Sequence, residues 1–148
     1  MSEFKRSKTI LFYASFDGEV GTFDMMKQAQ TIGKNISLPK IVKGKKNIIP
    51  MLAESLEGLP EGPYGIKQPL ESSARELSLE DVDLVIVPGV AFDKFNRRLV
   101  RGGGYYDRFL KSLPQSTPTV GLAFDFQIVD SLPHAEHDMC VSHVLVNE

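Results

Sequence analysis

The chain has 148 residues, 17 Lys+Arg, 19 Asp+Glu and a formal net charge of −2. With 42% hydrophobic and 24% charged residues it has the composition of a folded domain and not of a disordered segment, and its length suits one domain around one core. A pI near 5.9 argues against a general nucleic-acid binder. The single cysteine, Cys140, excludes an intrachain disulfide, and no apolar run reaches the ~18 residues of a membrane span. Met1-Ser-Glu-Phe-Lys-Arg is followed by no apolar segment with a small-residue cleavage site, so the expectation is a cytoplasmic protein with no membrane partner.

Thr9 to Ala14 (TILFYA) is a short run of strand formers followed by the turn residues Asp17-Gly18, which predicts a buried strand. Thr22 stands as the N-cap of a helix whose apolar positions Phe23, Met26, Ala29 and Ile32 share one face, and Gly33 sits where a C-cap glycine belongs. Asn35 to Val42 reads as a second strand, with Pro39 near a strand end. Together these residues form a β-α-β unit with a right-handed crossover. Ile48 to Leu52 reads as an edge strand, and Gly58, Pro60, Gly62, Pro63, Gly65 and Pro69 mark a long loop of the kind that carries function.

Asp83 to Val87 is a continuous apolar run, which predicts a central strand covered on both faces and ended by Pro88-Gly89. Val90 to Arg101 reads as loop. Tyr106, Phe109, Leu110 and Leu113 then mark the buried face of a helix that Pro114 ends. Thr119 to Phe124 and Val141 to Val146 supply two further strands, and Met25, Met26 and Met51 read as core fillers. The expected class is α/β, a three-layer sandwich with a mainly parallel, Rossmann-like sheet. Ligand chemistry in such sheets lies at the carboxyl ends of strands, here the loops after Ala14, Val87 and Phe124.

Between residues 94 and 111 stand six cations (Lys94, Arg97, Arg98, Arg101, Arg108, Lys111) and one acid, Asp107, a local charge of +5 on an acidic chain. Gly102, Gly103 and Gly104 run directly into the predicted helix, which brings bare amides to its positive end. Arg98 and Arg101 can chelate phosphate oxygens beside them, and Asp107 can ligate Mg²⁺ together with those phosphates. A solvated loop, with Asp107 favoured by the helix dipole, is the alternative. The coincidence of both arginines with a helix start favours the anion site. Neither GxxxxGK[ST] nor GxGxxG occurs, and His134, His137 and Asp138 lack a third clear zinc ligand and read as a polar loop.

Val87-Pro-Gly-Val-Ala-Phe-Asp93, followed by Arg98-Leu-x-Arg-Gly-Gly-Gly-Tyr-Tyr-Asp-Arg-Phe-Leu110, resembles the signature of the 5-formyltetrahydrofolate cyclo-ligase family. Gly18-Glu19-Val20 with Thr22, Leu38-Pro39, Tyr64-Gly65-Ile66 with Gln68-Pro69, Phe124 with Gln127, and His137-Asp138 extend the resemblance over residues 9 to 146. It implies one cyclo-ligase-like domain over residues 1–148, without the amino-terminal helices usual in the family. It also implies an enzyme dependent on ATP and Mg²⁺. The formyl oxygen of 5-formyltetrahydrofolate is phosphorylated, the folate's other nitrogen attacks, and loss of phosphate closes the ring to 5,10-methenyltetrahydrofolate.

By the same resemblance Arg98, Arg101, Gly102, Gly103, Gly104, Tyr105 and Tyr106 bind ATP, with Arg101, Tyr105 and Tyr106 as the catalytic set. Glu19, Tyr64 and Tyr106 contact the folate, which carries a polyglutamate tail or none, and Asp107 is the metal ligand. Gln127 either supports the site or makes ordinary amide bonds to backbone. No nucleic-acid partner and no oligomer are predicted. The signature departs from the family at Val100, where glycine is usual, and Gly21 and Ser142 stand where acids are common. Competing readings are a non-catalytic folate- or nucleotide-binding protein, a truncated and weakly active form, or an RNA-binding module, the last disfavoured by the lack of RNP-type aromatics.

Overall fold

Short apolar runs rich in β-branched residues pair into a seven-stranded mixed sheet in the computed structural model, which describes residues 2–13, 21–42, 47–53, 75–99, 105–133 and 140–147. In chain order the elements are α1 (Ser2–Arg6), β1 (Thr9–Leu11), α2 (Phe23–Thr31), β2 (Asn35–Val42), β3 (Asn47–Leu52), β4 (Arg75–Glu76), β5 (Leu84–Val87), β6 (Ala91–Asp93), β7 (Arg98–Leu99), α3 (Tyr105–Ser112), β8 (Thr119–Phe124), β9 (Ile128–Val129) and β10 (His143–Asn147). The large sheet has the order β10-β8-β5-β1-β2-β3-β4. Its first five strands are mutually parallel, whereas β3 and β4 join antiparallel. A second sheet has the order β7-β6-β9.

Strand alternation divides the apolar residues between two faces. Ile10, Ile36, Leu84, Ile86 and Val120 pack with Met26 and Ala29 of α2, while Leu11, Val85, Val87 and Ala123 pack with Phe109 and Leu110 of α3. The result is the expected three-layer α/β sandwich. Met26 and Met51 are buried and Met25 packs against the first cluster, as core fillers do.

Helix α2 begins after Thr22, but the buried Thr22 hydroxyl donates to the Tyr13 carbonyl at 2.6 Å instead of capping a helix N–H. Its end follows the sequence closely. Gly33 has φ +86°, its N–H donates to the Gln30 carbonyl at 3.0 Å, and that of Lys34 donates to the Ala29 carbonyl at 3.1 Å, a Schellman end. Ile32 departs from the predicted face: it lies past the last helical residue and is 64% exposed, because the chain leaves helical geometry before it turns inward.

Four other expectations are corrected. Pairing in β1 stops at Leu11, although the Phe12 N–H still donates to the Ser37 carbonyl at 3.0 Å. Pro39 lies inside β2, in register with Pro50 of β3. It is tolerated there because Ser37 directs its carbonyl toward β1, and two residues on Pro39 turns its missing N–H to that same side, where β1 has stopped pairing. The edge beyond β3 is occupied by β4, so β3 is an inner strand. Finally, much of residues 90–101 is a hairpin, with Ala91 opposite Leu99 and Phe92 opposite Arg98.

That hairpin turns without glycine or proline. Asn96 takes φ 63° after an Asn96 N–H to Asp93 carbonyl bond of 3.0 Å, a three-residue turn whose last position favours Gly or Asn. The β6 strand is seated by Phe92, which is fully buried between two glycines. A Cβ on Gly89 would stand 2.7 Å from the Phe92 ring and one on Gly121 would stand 2.4 Å from it. Gly121→Ala is therefore expected to destabilise the protein by about 1–3 kcal/mol in urea unfolding, as overpacking does. The smaller ring space required by Phe92→Leu should make the double variant lose less than the two single losses combined.

Candidate active site

Strand β1 is flanked by β2 on one side and β5 on the other, so the chain changes its direction of travel across the sheet between β1 and β5. In open α/β sheets such a switch is where ligands bind, in the crevice outside the carboxyl ends of the two strands. After β1 the Thr22 hydroxyl donates to the Tyr13 carbonyl and ties the end of that strand to the start of α2. After β5 the turn Pro88–Val90 is held from two sides. Arg98 Nη1 donates to the Pro88 carbonyl at 3.1 Å, and Gln127 Nε2 donates to the Val90 carbonyl at 3.1 Å. Gln127 also accepts from the Phe124 N–H at 2.8 Å, so one buried amide joins the ends of β5 and β8. Gln127 thus bonds backbone, as one reading expected, at the turn that follows β5.

The first turn of α3 faces the same turn. Arg98 Nη2 lies 3.3 Å from Asp107 Oδ1, with the Arg98 side chain 2% exposed and that of Asp107 15% exposed. The guanidinium carbon stands 5.6 Å from the Tyr106 ring centre, within cation–π range, and Tyr106 meets Phe109 edge-on at 6.4 Å. The structure thus brings Arg98, Tyr106 and Asp107 together, with Tyr105 opening α3. Glu19, Tyr64, Arg101, Gly102, Gly103 and Gly104 lie outside the described residues, as do Val100, His134, His137 and Asp138.

Two features were missed in the sequence. Phe126, just after β8, is 77% exposed and stacks on Phe124 at 5.5 Å with an interplanar angle of 11°, an apolar ring face beside the carboxyl end of that strand. Asp93 is the other. Its buried carboxylate accepts from the N–H groups of Phe95 at 2.9 Å, Arg97 at 3.0 Å and Leu132 at 2.8 Å, and pairs with Arg97 Nε at 3.3 Å. A spacing of Asp, two residues, then Asn was the available signal for such a turn.

Burial pushes the Asp93 carboxyl up, but the three backbone N–H groups and the Arg97 charge outweigh it and hold the pKa below the ordinary aspartate value. A depressed folded-state pKa contributes stability that is full above the unfolded value and is lost as pH falls through the folded one. Asp93→Asn points an NH₂ group at donors and leaves Arg97 without its carboxylate, so a loss of about 3 kcal/mol near neutral pH is expected. Urea unfolding at a series of pH values should show the gap between wild type and variant narrowing below the ordinary aspartate pKa, and not above it.

Among the described residues no three His, Cys, Asp or Glu side chains converge, and no helix is long and apolar enough to cross a membrane. Asp107 alone, a hard oxygen donor in the first turn of α3, fits Mg²⁺, which takes one or two carboxylates and fills its shell with phosphate and water.

Comparison with known proteins points the same way. The sequence model of the family described as 5-formyltetrahydrofolate cyclo-ligase matches residues 1–147. The 5-formyltetrahydrofolate cyclo-ligase of Mus musculus is 36% identical over 157 residues, covering 99% of this chain and 77% of that protein. Its counterpart in Haemophilus influenzae is 35% identical over 150 residues, covering 97% and 78%. The NMR structure of Aquifex aeolicus 5,10-methenyltetrahydrofolate synthetase is similar with a TM-score of 0.82 at 36% identity, covering 99% of this chain and 72% of that one.

Proposed function

The chain belongs to the 5-formyltetrahydrofolate cyclo-ligase family, an enzyme family, and on that premise we propose that it converts 5-formyltetrahydrofolate to 5,10-methenyltetrahydrofolate with ATP and Mg²⁺. The observation that carries the reading is the meeting of Arg98, Tyr106 and Asp107 at the start of α3, directly after the Gly102–Gly104 run and beside the β5 turn.

The γ-phosphoryl group passes from ATP to the formyl oxygen, breaking its bond to ADP. The folate's other nitrogen then bonds to the formyl carbon and gives up its proton, and that oxygen leaves as inorganic phosphate, which takes up the proton. Such chemistry asks for positioned phosphates and fixed positive charge more than for a covalent nucleophile. Arg101 and the amides of Gly102, Gly103 and Gly104 hold the triphosphate at the positive end of α3. Tyr105 and Tyr106 stand between nucleotide and folate, and Glu19 and Tyr64 border the folate. Asp107 holds Mg²⁺, which neutralises phosphate oxygens when bound. Arg98 belongs to the same phosphate-side cluster. Cys140, exposed and unbridged, suits the cytoplasm, where the reaction would take place.

The test is the absorbance of methenyltetrahydrofolate formed by the purified chain from 5-formyltetrahydrofolate, ATP and Mg²⁺. ATP-dependent product is expected; folate binding by a folded sample without turnover would establish a binding protein instead. Arg101→Ala should raise the KM for ATP on the order of tenfold with little change in melting temperature. Asp107→Asn should raise the Mg²⁺ concentration needed for half-maximal rate by about tenfold, and lower the melting temperature by several degrees because the Arg98 charge stays buried.

A further inference from the structure

We infer that Arg98 is a positioning residue that acts through Asp107 and the Pro88 turn, and not a ligand of the nucleotide phosphates. The inference rests on the function proposed above and assigns Arg98 a role different from the one its place in the signature implies. A phosphate ligand has to turn its N–H groups toward the crevice. The Arg98 side chain is 2% exposed, and its two terminal nitrogens are directed at protein oxygens, Nη1 at the Pro88 carbonyl and Nη2 at Asp107 Oδ1.

Those two acceptors belong to different parts of the site. Pro88 is the first residue after β5, and Asp107 lies in the first turn of α3. One planar guanidinium spanning both fixes the spacing between the sheet mouth and the helix start, and its face sets the Tyr106 ring at 5.6 Å. The anchor at the sheet end is itself fixed. Gln127 holds the Val90 carbonyl, and Gly89 lies so close to the Phe92 ring that a Cβ there would stand 2.7 Å from it. A carboxylate oriented from a rigid turn is suited to hold a metal ion that tolerates little departure from octahedral geometry.

Arg98→Lys keeps the charge but cannot reach both acceptors from one ammonium. Expected are a kcat lower by about tenfold, a several-fold higher Mg²⁺ requirement, and a KM for ATP at saturating Mg²⁺ within about twofold of wild type. Added to Asp107→Asn, the change should cost little more, since both act on one interaction. An ATP KM raised on the order of tenfold, with effects that multiply in the double variant, would overturn the inference in favour of direct phosphate contact. Unchanged kcat and Mg²⁺ dependence with only a lower melting temperature would overturn it in favour of a purely structural bond. If Arg98→Lys does not fold, Arg98→Gln, which keeps a donor for Pro88 and buries no charge, should show the same split. A wild-type chain without turnover would count against the proposed reaction alone. Arg98 is then read from MgATP binding by calorimetry and from the melting temperatures of the Arg98→Lys and Asp107→Asn pair, where weaker MgATP binding with unchanged binding of Mg²⁺-free ATP, and non-additive shifts, support the inference and additive shifts overturn it.

Discussion

A guanidinium withdrawn from water needs its charge met, and the terminal nitrogens of Arg98 reach the Pro88 carbonyl and the Asp107 carboxylate. Among the described residues the site is organised by that pair of hydrogen bonds. It turns the end of β5 and the beginning of α3, separate in sequence, into one unit. Arg98 reaches that position because β7 exists, and β7 exists because the Asp93–Asn96 turn folds the chain back along β6. The β6 strand in turn is held against the large sheet by Phe92, whose ring fills the space left by the missing side chains of Gly89 and Gly121.

Buried polar groups here serve the backbone. Gln127 and Thr22 bond main-chain groups just beyond the ends of β8, β5 and β1, and Asp93 bonds those of the β6–β7 turn and Leu132 while pairing with Arg97. The switch point between β1 and β5 lies at those same strand ends. Main-chain hydrogen bonding and the proposed ligand chemistry therefore share the carboxyl ends of β1, β5 and β8. The membership in the 5-formyltetrahydrofolate cyclo-ligase family accords with this placement, since the signature residues 87–93 and 98–110 include both strands of the β6–β7 hairpin and the start of α3.

Elements whose signal is local could be read in advance. The apolar run at β5, the glycine that ends α2 and the spacing of Phe109 and Leu110 in α3 each express a rule that operates within a few residues. The elements that escaped notice depend on distant partners. The two-residue β4 is a strand only because β3 is beside it, Pro39 is tolerated only where β1 has stopped pairing, and the β6–β7 turn uses Asn96 where a glycine would have announced it. Ile32 continued the apolar spacing of α2 after the helix itself had ended.

For the site, the order of residues was enough to determine that Arg98, Tyr106 and Asp107 belong together, because a motif joins them over ten positions and helical geometry brings the last two to one turn. What Arg98 bonds to was decided only by the folded chain. A side chain's exposure depends on what packs around it, and the groups that enclose this one come from the β5 turn and the first turn of α3, which the backbone brings together only once the sheet has formed.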